Sequence, residues 1–243
     1  MKSQLIRFSK YLILSSICCF LLANSNAQEK HPVINQLTEN EKKEGWVLLF
    51  DGMTSSGWRG ANKKSFPEKG WEIKNGVLTV LGIDGGDIIT EKMYGDFDLK
   101  IEFQVKEQRA NSGVKYYVLE NEYEQGSVIG LEFQTSNSHP GTNLRTALGS
   151  VYDILPAKEK LVHPLPSGEW NTVRIISKNK KVQHWLNGYK ILKYKRGGKA
   201  FRKGVASGKF KDIKNFGEAE KGHILLQDHS DEVSFRNIKI REL

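Results

Sequence analysis

From Phe97 to Val105 the sequence alternates without a break: Phe97, Leu99, Ile101, Phe103 and Val105 are apolar, while Asp98, Lys100, Glu102 and Gln104 are polar. In an extended chain successive side chains point to opposite faces, so this stretch predicts a β-strand with one face in a core and the other in water. Similar short runs recur at 71–81, 114–119, 129–134, 172–177, 181–186, 223–228 and 233–241, separated by Gly, Asn and Pro, with almost no helical period. That pattern predicts an antiparallel all-β sandwich or barrel. Asn187-Gly188, ahead of Tyr189-Lys190-Ile191-Leu192, is the strongest hairpin signal, because a tight two-residue turn demands residues that tolerate positive φ. The stretches 142–156 and 197–217 lack alternation and predict long loops or short helices.

The ends of the chain read differently. Lys2, Arg7 and Lys10 precede an apolar run from Tyr11 to Ala23, and Ser25 and Ala27 then offer small residues before Gln28. This is the layout of a secretory signal, with an apolar core too short for an ordinary membrane span. Residues 1–27 are therefore expected to be a cleaved signal, 28–44 a polar tether, and 45–243 one domain, exported to the periplasm or beyond and without stable membrane insertion. Cys18 and Cys19 are the only cysteines. Their removal with the signal would exclude disulfides, thiol catalysis and Cys-ligated zinc. Of the formal charge of +9, the signal segment holds three cations and no acid, leaving about +6. Much of that excess lies between Lys190 and Lys214, a run without the interleaved aromatics of a single-strand nucleic-acid surface, and so reads as a solvated edge rather than a nucleic-acid site.

No Gly-rich phosphate loop, nucleophile-elbow serine or close His/Cys cluster is present. A sandwich can instead display polar groups and aromatic platforms that together suit a carbohydrate. Asn111-Ser112-Gly113 is a turn that offers Asn111 and, less strongly, Ser112 to a ligand. In Gly130-Leu131-Glu132-Phe133-Gln134, alternation puts Glu132 and Gln134 side by side on the non-core face, where a carboxylate can act as a base and an amide can read hydroxyls. In Gln227-Asp228-His229, strand parity puts Gln227 and His229 on one face, and histidine is the side chain best matched to proton transfer near neutral pH. Arg236 is a candidate for stabilising anionic character, or for an ordinary surface ion pair. His184 reads as a core-edge residue and Trp185 as a sugar platform; His139, in a loop, is a weaker candidate as base or metal ligand.

An ordered set of motifs carries a resemblance across nearly the whole region after residue 44. It runs from Gly45-Trp46-Val47-Leu48-Leu49-Phe50-Asp51-Gly52 and Gly57-Trp58 through Asp96-Phe97, Asn111-Ser112-Gly113 and Gly130-Leu131-Glu132-Phe133-Gln134. It continues with Leu148-Gly149-Ser150-Val151-Tyr152-Asp153, Gly168-Glu169-Trp170-Asn171, His184-Trp185-Leu186-Asn187-Gly188 and Gly222-His223-Ile224-Leu225-Leu226-Gln227-Asp228-His229, and ends at Phe235-Arg236-Asn237-Ile238. Together these resemble the 3-keto-disaccharide hydrolase family (3-keto-glucoside 1,2-lyase/3-keto-2-hydroxyglucal hydratase), once a domain of unknown function. The resemblance implies a jelly roll of the concanavalin A-like lectin/glucanase type. Its substrates would be glycosides already oxidised at C3 by a separate sugar 3-dehydrogenase. At Thr135-Ser136-Asn137-Ser138 the chain departs from a more acidic loop of relatives, which argues against a metal held by that loop.

A C3 ketone acidifies the C2 proton, so a base can remove it and the C1 substituent can leave by β-elimination; water then adds, giving net hydrolysis. The resemblance implies Glu132 or His229 as base, Gln134, Gln227 and Arg236 as oxygen binders, and Asn111, Tyr152 and Trp185 as sugar contacts. No cofactor is required; a divalent ion could stabilise the enolate, but no ligand spacing demands one. The competing expectations are a conventional glycosidase, which needs two carboxylates across one cleft, and a non-catalytic carbohydrate-binding module.

Overall fold

The computed structural model of the chain describes residues 33–136 and 143–243; the segment 1–32, including the expected signal, and His139 lie outside the described residues. In chain order the elements are α1 (Glu39–Lys43), β1 (Val47–Leu48), β2 (Trp58–Gly60), β3 (Trp71–Lys74), β4 (Val77–Val80), β5 (Ile88–Thr90), β6 (Phe97–Val105), β7 (Gly113–Glu120) and β8 (Val128–Gln134). There follow β9 (Asn171–Lys178), β10 (Lys181–Leu186), β11 (Tyr189–Lys195), α2 (Lys199–Ala206), β12 (His223–Leu226) and β13 (Val233–Glu242). Short 3-10 turns lie at Leu144–Thr146 and Glu159–Leu161. No helix among the described residues is long and apolar enough to cross a membrane.

The strands form two antiparallel sheets. One runs β11-β10-β9-β6-β13-β4-β3, with β1 also on β13; the other runs β2-β5-β12-β7-β8. The fold is an antiparallel all-β sandwich, one of the two architectures that the alternation predicts, and of the jelly-roll type that the resemblance implies. The alternating apolar faces of both sheets meet in one core: Phe97, Leu99, Ile101 and Phe103 come from the larger sheet, and Val114, Leu131, Phe133 and Leu226 from the smaller. Where the sheets meet, the Phe97 and Tyr116 rings pack edge to face at 6.1 Å.

Two features depart from simple alternation. A register shift between Tyr116 and Leu119 puts both Tyr116 and Tyr117 into the core. Tyr117 takes φ +53 there, a conformation that an L side chain adopts only where surroundings hold it. Its hydroxyl donates to Gly95 O at 2.7 Å and lies 2.7 Å from Ser177 Oγ, with the Arg196 guanidinium 3.6 Å above its ring. The second departure concerns the expected tether, whose described part is built into the domain. Asn35 and Asn237 exchange backbone-to-side-chain hydrogen bonds at 2.6 and 2.8 Å, and Thr38 and Glu41 cap α1 reciprocally. Glu41 Oε1 then pairs with Lys239 at 2.6 Å. Polar composition hid this, because the segment docks through ion pairs and caps rather than through apolar side chains.

Candidate functional site

Strand pairing decides which side chains share the outer face of the smaller sheet. Lys115 faces Glu132 on β8 and Leu225 on β12, Leu225 faces Ile89 on β5, and Gly113 faces Gln134. Toward one end of this face Ile89, Val118 and Leu225 form a small sealed apolar cluster. Beyond it, Arg59 and Glu120 make a two-armed ion pair at 2.9 and 2.6 Å. Those groups satisfy one another, which leaves the chemistry to the opposite end, around Glu132.

Glu132 is 7% exposed and makes no ion pair or side-chain hydrogen bond among the described residues. Burial pushes its carboxyl above the usual range, while Lys115, Lys209 and His229 oppose the rise and Asp87 adds to it. An isolated buried carboxylate is costly unless something compensates it, so this position is poised to hold a proton or to meet a ligand. Gly113 makes room for it: a Cβ there would lie 2.6 Å from Glu132 Oε1.

The neighbours are each held in place. Asp87, two residues before Ile89, accepts the Asp228 N–H at 2.9 Å and pairs with Lys115 Nζ at 3.6 Å. Burial raises its carboxyl as well, with Lys115 working against the rise. Asp228 in turn accepts the Gly85 and Gly86 N–H groups at 2.8 and 2.9 Å. Gln227 donates its N–H to Gly113 O at 3.0 Å, and the buried Ser112 hydroxyl donates to Gln227 O at 2.7 Å. Ser112 thus fixes Gln227 through the backbone. Gln134 is buried and its Oε1 accepts the Ser136 N–H at 3.0 Å. Tyr152 lies alongside, its N–H donating to Glu132 O at 3.1 Å; burial, with Glu132 nearby, raises its hydroxyl.

Asn111 Oδ1 and Gln227 Oε1 are both buried without a partner among the described residues. Unsatisfied amide oxygens of this kind are rare in native proteins and cost stability.

Glu132, Gln134, Gln227, Asn111 and Tyr152 are therefore brought to one end of one sheet, with His229 exposed at its edge and within electrostatic reach of Glu132. Two expected site residues are not brought there, and these readings are corrected. Arg236 lies on the outer face of the larger sheet, bonded to Glu102 at 2.7 Å and stacked 4.1 Å from the Trp170 ring centroid. Trp185 is on that face as well, paired in register with Arg174. The core separates both from Glu132, since alternation turns Phe235, His184 and Leu186 inward and their neighbours outward. His184 is fully buried: its Nδ1–H donates to Gly149 O at 2.9 Å and its Nε2 accepts from the Tyr116 hydroxyl at 2.7 Å.

Sequence reading missed Lys115, Asp87 and Lys209. Lys115 was within reach, because it is the polar residue between Val114 and Tyr116. Lys209 gave no signal, as it follows α2 in the basic run read as a solvated edge. No cluster of three or more His, Cys, Asp or Glu able to hold a metal ion occurs among the described residues. A separate cleft of about 940 Å³, bordered by Tyr123, Ile129 and Glu218, contains none of these groups.

These features define a jelly-roll sandwich with a desolvated carboxylate, flanking cations and unsatisfied amides at one end of a sheet face. Residues 45–241 match the 3-keto-alpha-glucoside-1,2-lyase-like domain, and the chain belongs to that family. It is similar to a 3-keto-disaccharide hydrolase of Bacteroides thetaiotaomicron, 30% identical over 233 residues that span 82% of this chain and 79% of the relative. Two crystal structures of candidate glycosyl hydrolases from Parabacteroides distasonis ATCC 8503 are also similar. The first has a TM-score of 0.77 and 31% identity, covering 87% of this chain and all of the other. The second has a TM-score of 0.64 and 26% identity, covering 82% and 99%.

Proposed function

We propose that this protein cleaves 3-keto-glycosides, with Glu132 as the base that removes the C2 proton. The observation that carries the reading is the Glu132 carboxyl itself, buried and free of ion pairs among the described residues, beside two amides whose oxygens have no partner. A base serves best when its proton affinity lies near the working pH, and burial moves Glu132 in that direction. Loss of the C2 proton to Glu132 sends electrons toward the C3 oxygen. Lys115 and the Gln134 and Gln227 amide groups are the candidates to bind that oxygen. Asn111 and Tyr152 would hold the remaining hydroxyls. The electrons then form the C1–C2 double bond as the C1–O bond breaks, and water adds back across that bond. His229, exposed at the edge, suits proton exchange with solvent better than abstraction.

Family membership and the named relative support the substrate class. A conventional retaining or inverting pair would require a second available carboxylate; Asp87 is committed to Lys115 and to the Asp228 N–H. The substrate requires prior C3 oxidation by a separate dehydrogenase. The signal-like residues 1–27 support a reaction outside the cytoplasm.

The test uses matched glucosides with and without the 3-keto group. Aglycone release from the oxidised substrate alone is expected, with Glu132→Gln abolishing it at unchanged melting temperature and His229→Ala slowing it. Equal cleavage of the unoxidised glucoside, or full activity of Glu132→Gln, would refute the proposal.

A further inference from the structure

We infer that Lys209 is the catalytic proton donor to the departing C1 oxygen, an assignment that rests on the elimination reaction proposed above. The residue is exposed, yet its Nζ leans to 4.2 Å from the centroid of the Tyr152 ring, next to Glu132. Lys115, the other lysine of the site, is held by Asp87 at 3.6 Å. Among the described residues Lys209 has no such carboxylate partner, although its charge and that of Glu132 act on each other. The site thus presents an unpaired acid group at its edge and an unpaired base at its floor. Partial desolvation also holds the Lys209 ammonium below the ordinary lysine range, which favours giving up a proton.

The backbone that presents Lys209 is clamped. Asp153 Oδ2 accepts the Lys209 N–H at 2.6 Å. Gly208 packs so tightly on this residue that a Cβ would lie 2.6 Å from both Asp153 O and Oδ2. Arg145 closes the clamp by donating to Ser207 Oγ at 3.0 Å, to Gly204 O at 3.1 Å and to Asp153 O. Because Asp153 directly follows Tyr152, one turn positions both the lysine and the ring beneath it. A solvated lysine needs no such anchorage.

The placement fits the direction of the reaction. Glu132 and the two unpartnered amide oxygens are buried, so the hexose enters toward them and its C1 substituent leaves toward the exposed edge, where Lys209 stands. Glu132 takes the C2 proton, the C1–O bond breaks with its electron pair going to oxygen, and Lys209 protonates that oxygen. The lysine is then a neutral amine and Glu132 a neutral acid. In hydration the amine takes a proton from the water attacking C1, and Glu132 returns its proton to C2. Both groups are reset, and the net change is addition of one water.

The experiment compares methyl and 4-nitrophenyl 3-keto-glucosides, in the anomer the wild-type chain cleaves, across wild type, Lys209→Met, Lys209→Arg and Glu132→Gln. A proton donor is worth about 10²–10⁴-fold when the leaving oxygen is a poor one and little when it departs as a stable phenolate. Lys209→Met is therefore expected to lose roughly a hundredfold or more on the methyl substrate and less than about tenfold on the nitrophenyl one. Lys209→Arg, which keeps the charge but holds its proton, should behave like Lys209→Met, and Glu132→Gln should lose both activities. Equal losses on the two substrates, no loss, or rescue by arginine would each overturn the assignment while leaving the proposed reaction standing. A wild-type chain that cleaves neither substrate would overturn the reaction and the assignment together.

Discussion

Replacing Gly113 with alanine should disable the proposed base while leaving the sandwich standing. Gly113 lies on β7 across from Gln134, beside the Lys115–Glu132 pair, so the Glu132 side chain crosses directly over it. An added Cβ would sit 2.6, 2.8 and 2.9 Å from Glu132 Oε1, Cδ and Cγ, where ordinary contact begins at 3.4 Å. The carboxyl must therefore move by about 0.8 Å, and misplacement of a reacting group by about 1 Å can cost 10²-fold in rate. That factor corresponds to about 2.7 kcal/mol of transition-state stabilisation. Backbone geometry adds no penalty, because Gly113 is not among the glycines with positive φ. Gly130, on β8 two residues before Glu132, is the control: a Cβ there meets Val118 Cγ2 at 2.7 Å and the immobile Tyr116 O at 2.9 Å, so its nearest obstacles belong to β7 and not to Glu132. The assay pairs steady-state cleavage of a 3-keto-glucoside with thermal melting. Gly113→Ala should lose about a hundredfold in kcat with little change in Tm, and Gly130→Ala should lose Tm while its folded fraction keeps its kcat. A Gly113→Ala protein with kcat within about threefold of wild type would refute the claim that Glu132 must occupy that spot.

Stability should fall on mild acidification, because burial holds His184 at about 4 instead of 6.5 and lowers His223 as well. The unfolded chain takes up these protons first, so the contribution is complete above pH ~6.5 and is lost as pH drops toward ~4. His184 alone accounts for roughly 3 kcal/mol over that window, and urea unfolding with equal midpoints at pH 7.5 and 5 would contradict this. Asp98, 1% exposed, binds Arg174 through two bonds of 2.7 Å and Arg241 at 3.0 Å. Asp98→Ala takes the carboxylate from Arg174 and leaves Arg241 with Glu44 at 2.8 Å, and should cost about 2 kcal/mol in chemical denaturation, whereas an unchanged midpoint would mean that solvent already compensates the two arginines.

How far the sequence discloses the molecule depends on the range of the interactions. The strand from Phe97 to Val105 is readable to the residue, because a period of two reports directly on burial, and the Asn187-Gly188 hairpin follows from local turn chemistry. β1, β2 and β5 are only two or three residues long, too short for any period to emerge. The bulge at Tyr116-Tyr117 depends on Ser177, Gly95 and Arg196, all distant in sequence, and no local pattern announces it. At the site, parity puts Glu132 and Gln134 on one face of β8, opposite Lys115 and Gly113 of β7, whereas Gln227 and His229 follow the end of β12 at Leu226, where strand parity no longer applies. Trp185, between the buried His184 and Leu186, points outward, and so does Arg236 beside the buried Phe235. Parity within a strand cannot say which of two sheets the strand joins, and that is where these two residues were misassigned. Lys209 comes from a loop clamped by Arg145 and Asp153, an arrangement visible only in three dimensions.

β13 occupies the middle of the larger sheet, between β6 on one side and β4 with β1 on the other. Residues 233–242 also come after every other strand in chain order. Without them β6 and β4 have no strand between them, and the Asn35 segment lacks its partner Asn237. A polypeptide arranged in this way gains the middle of its larger sheet only when its β13 stretch joins, so a chain cut short before Val233 would leave β6 and β4 without their shared neighbour.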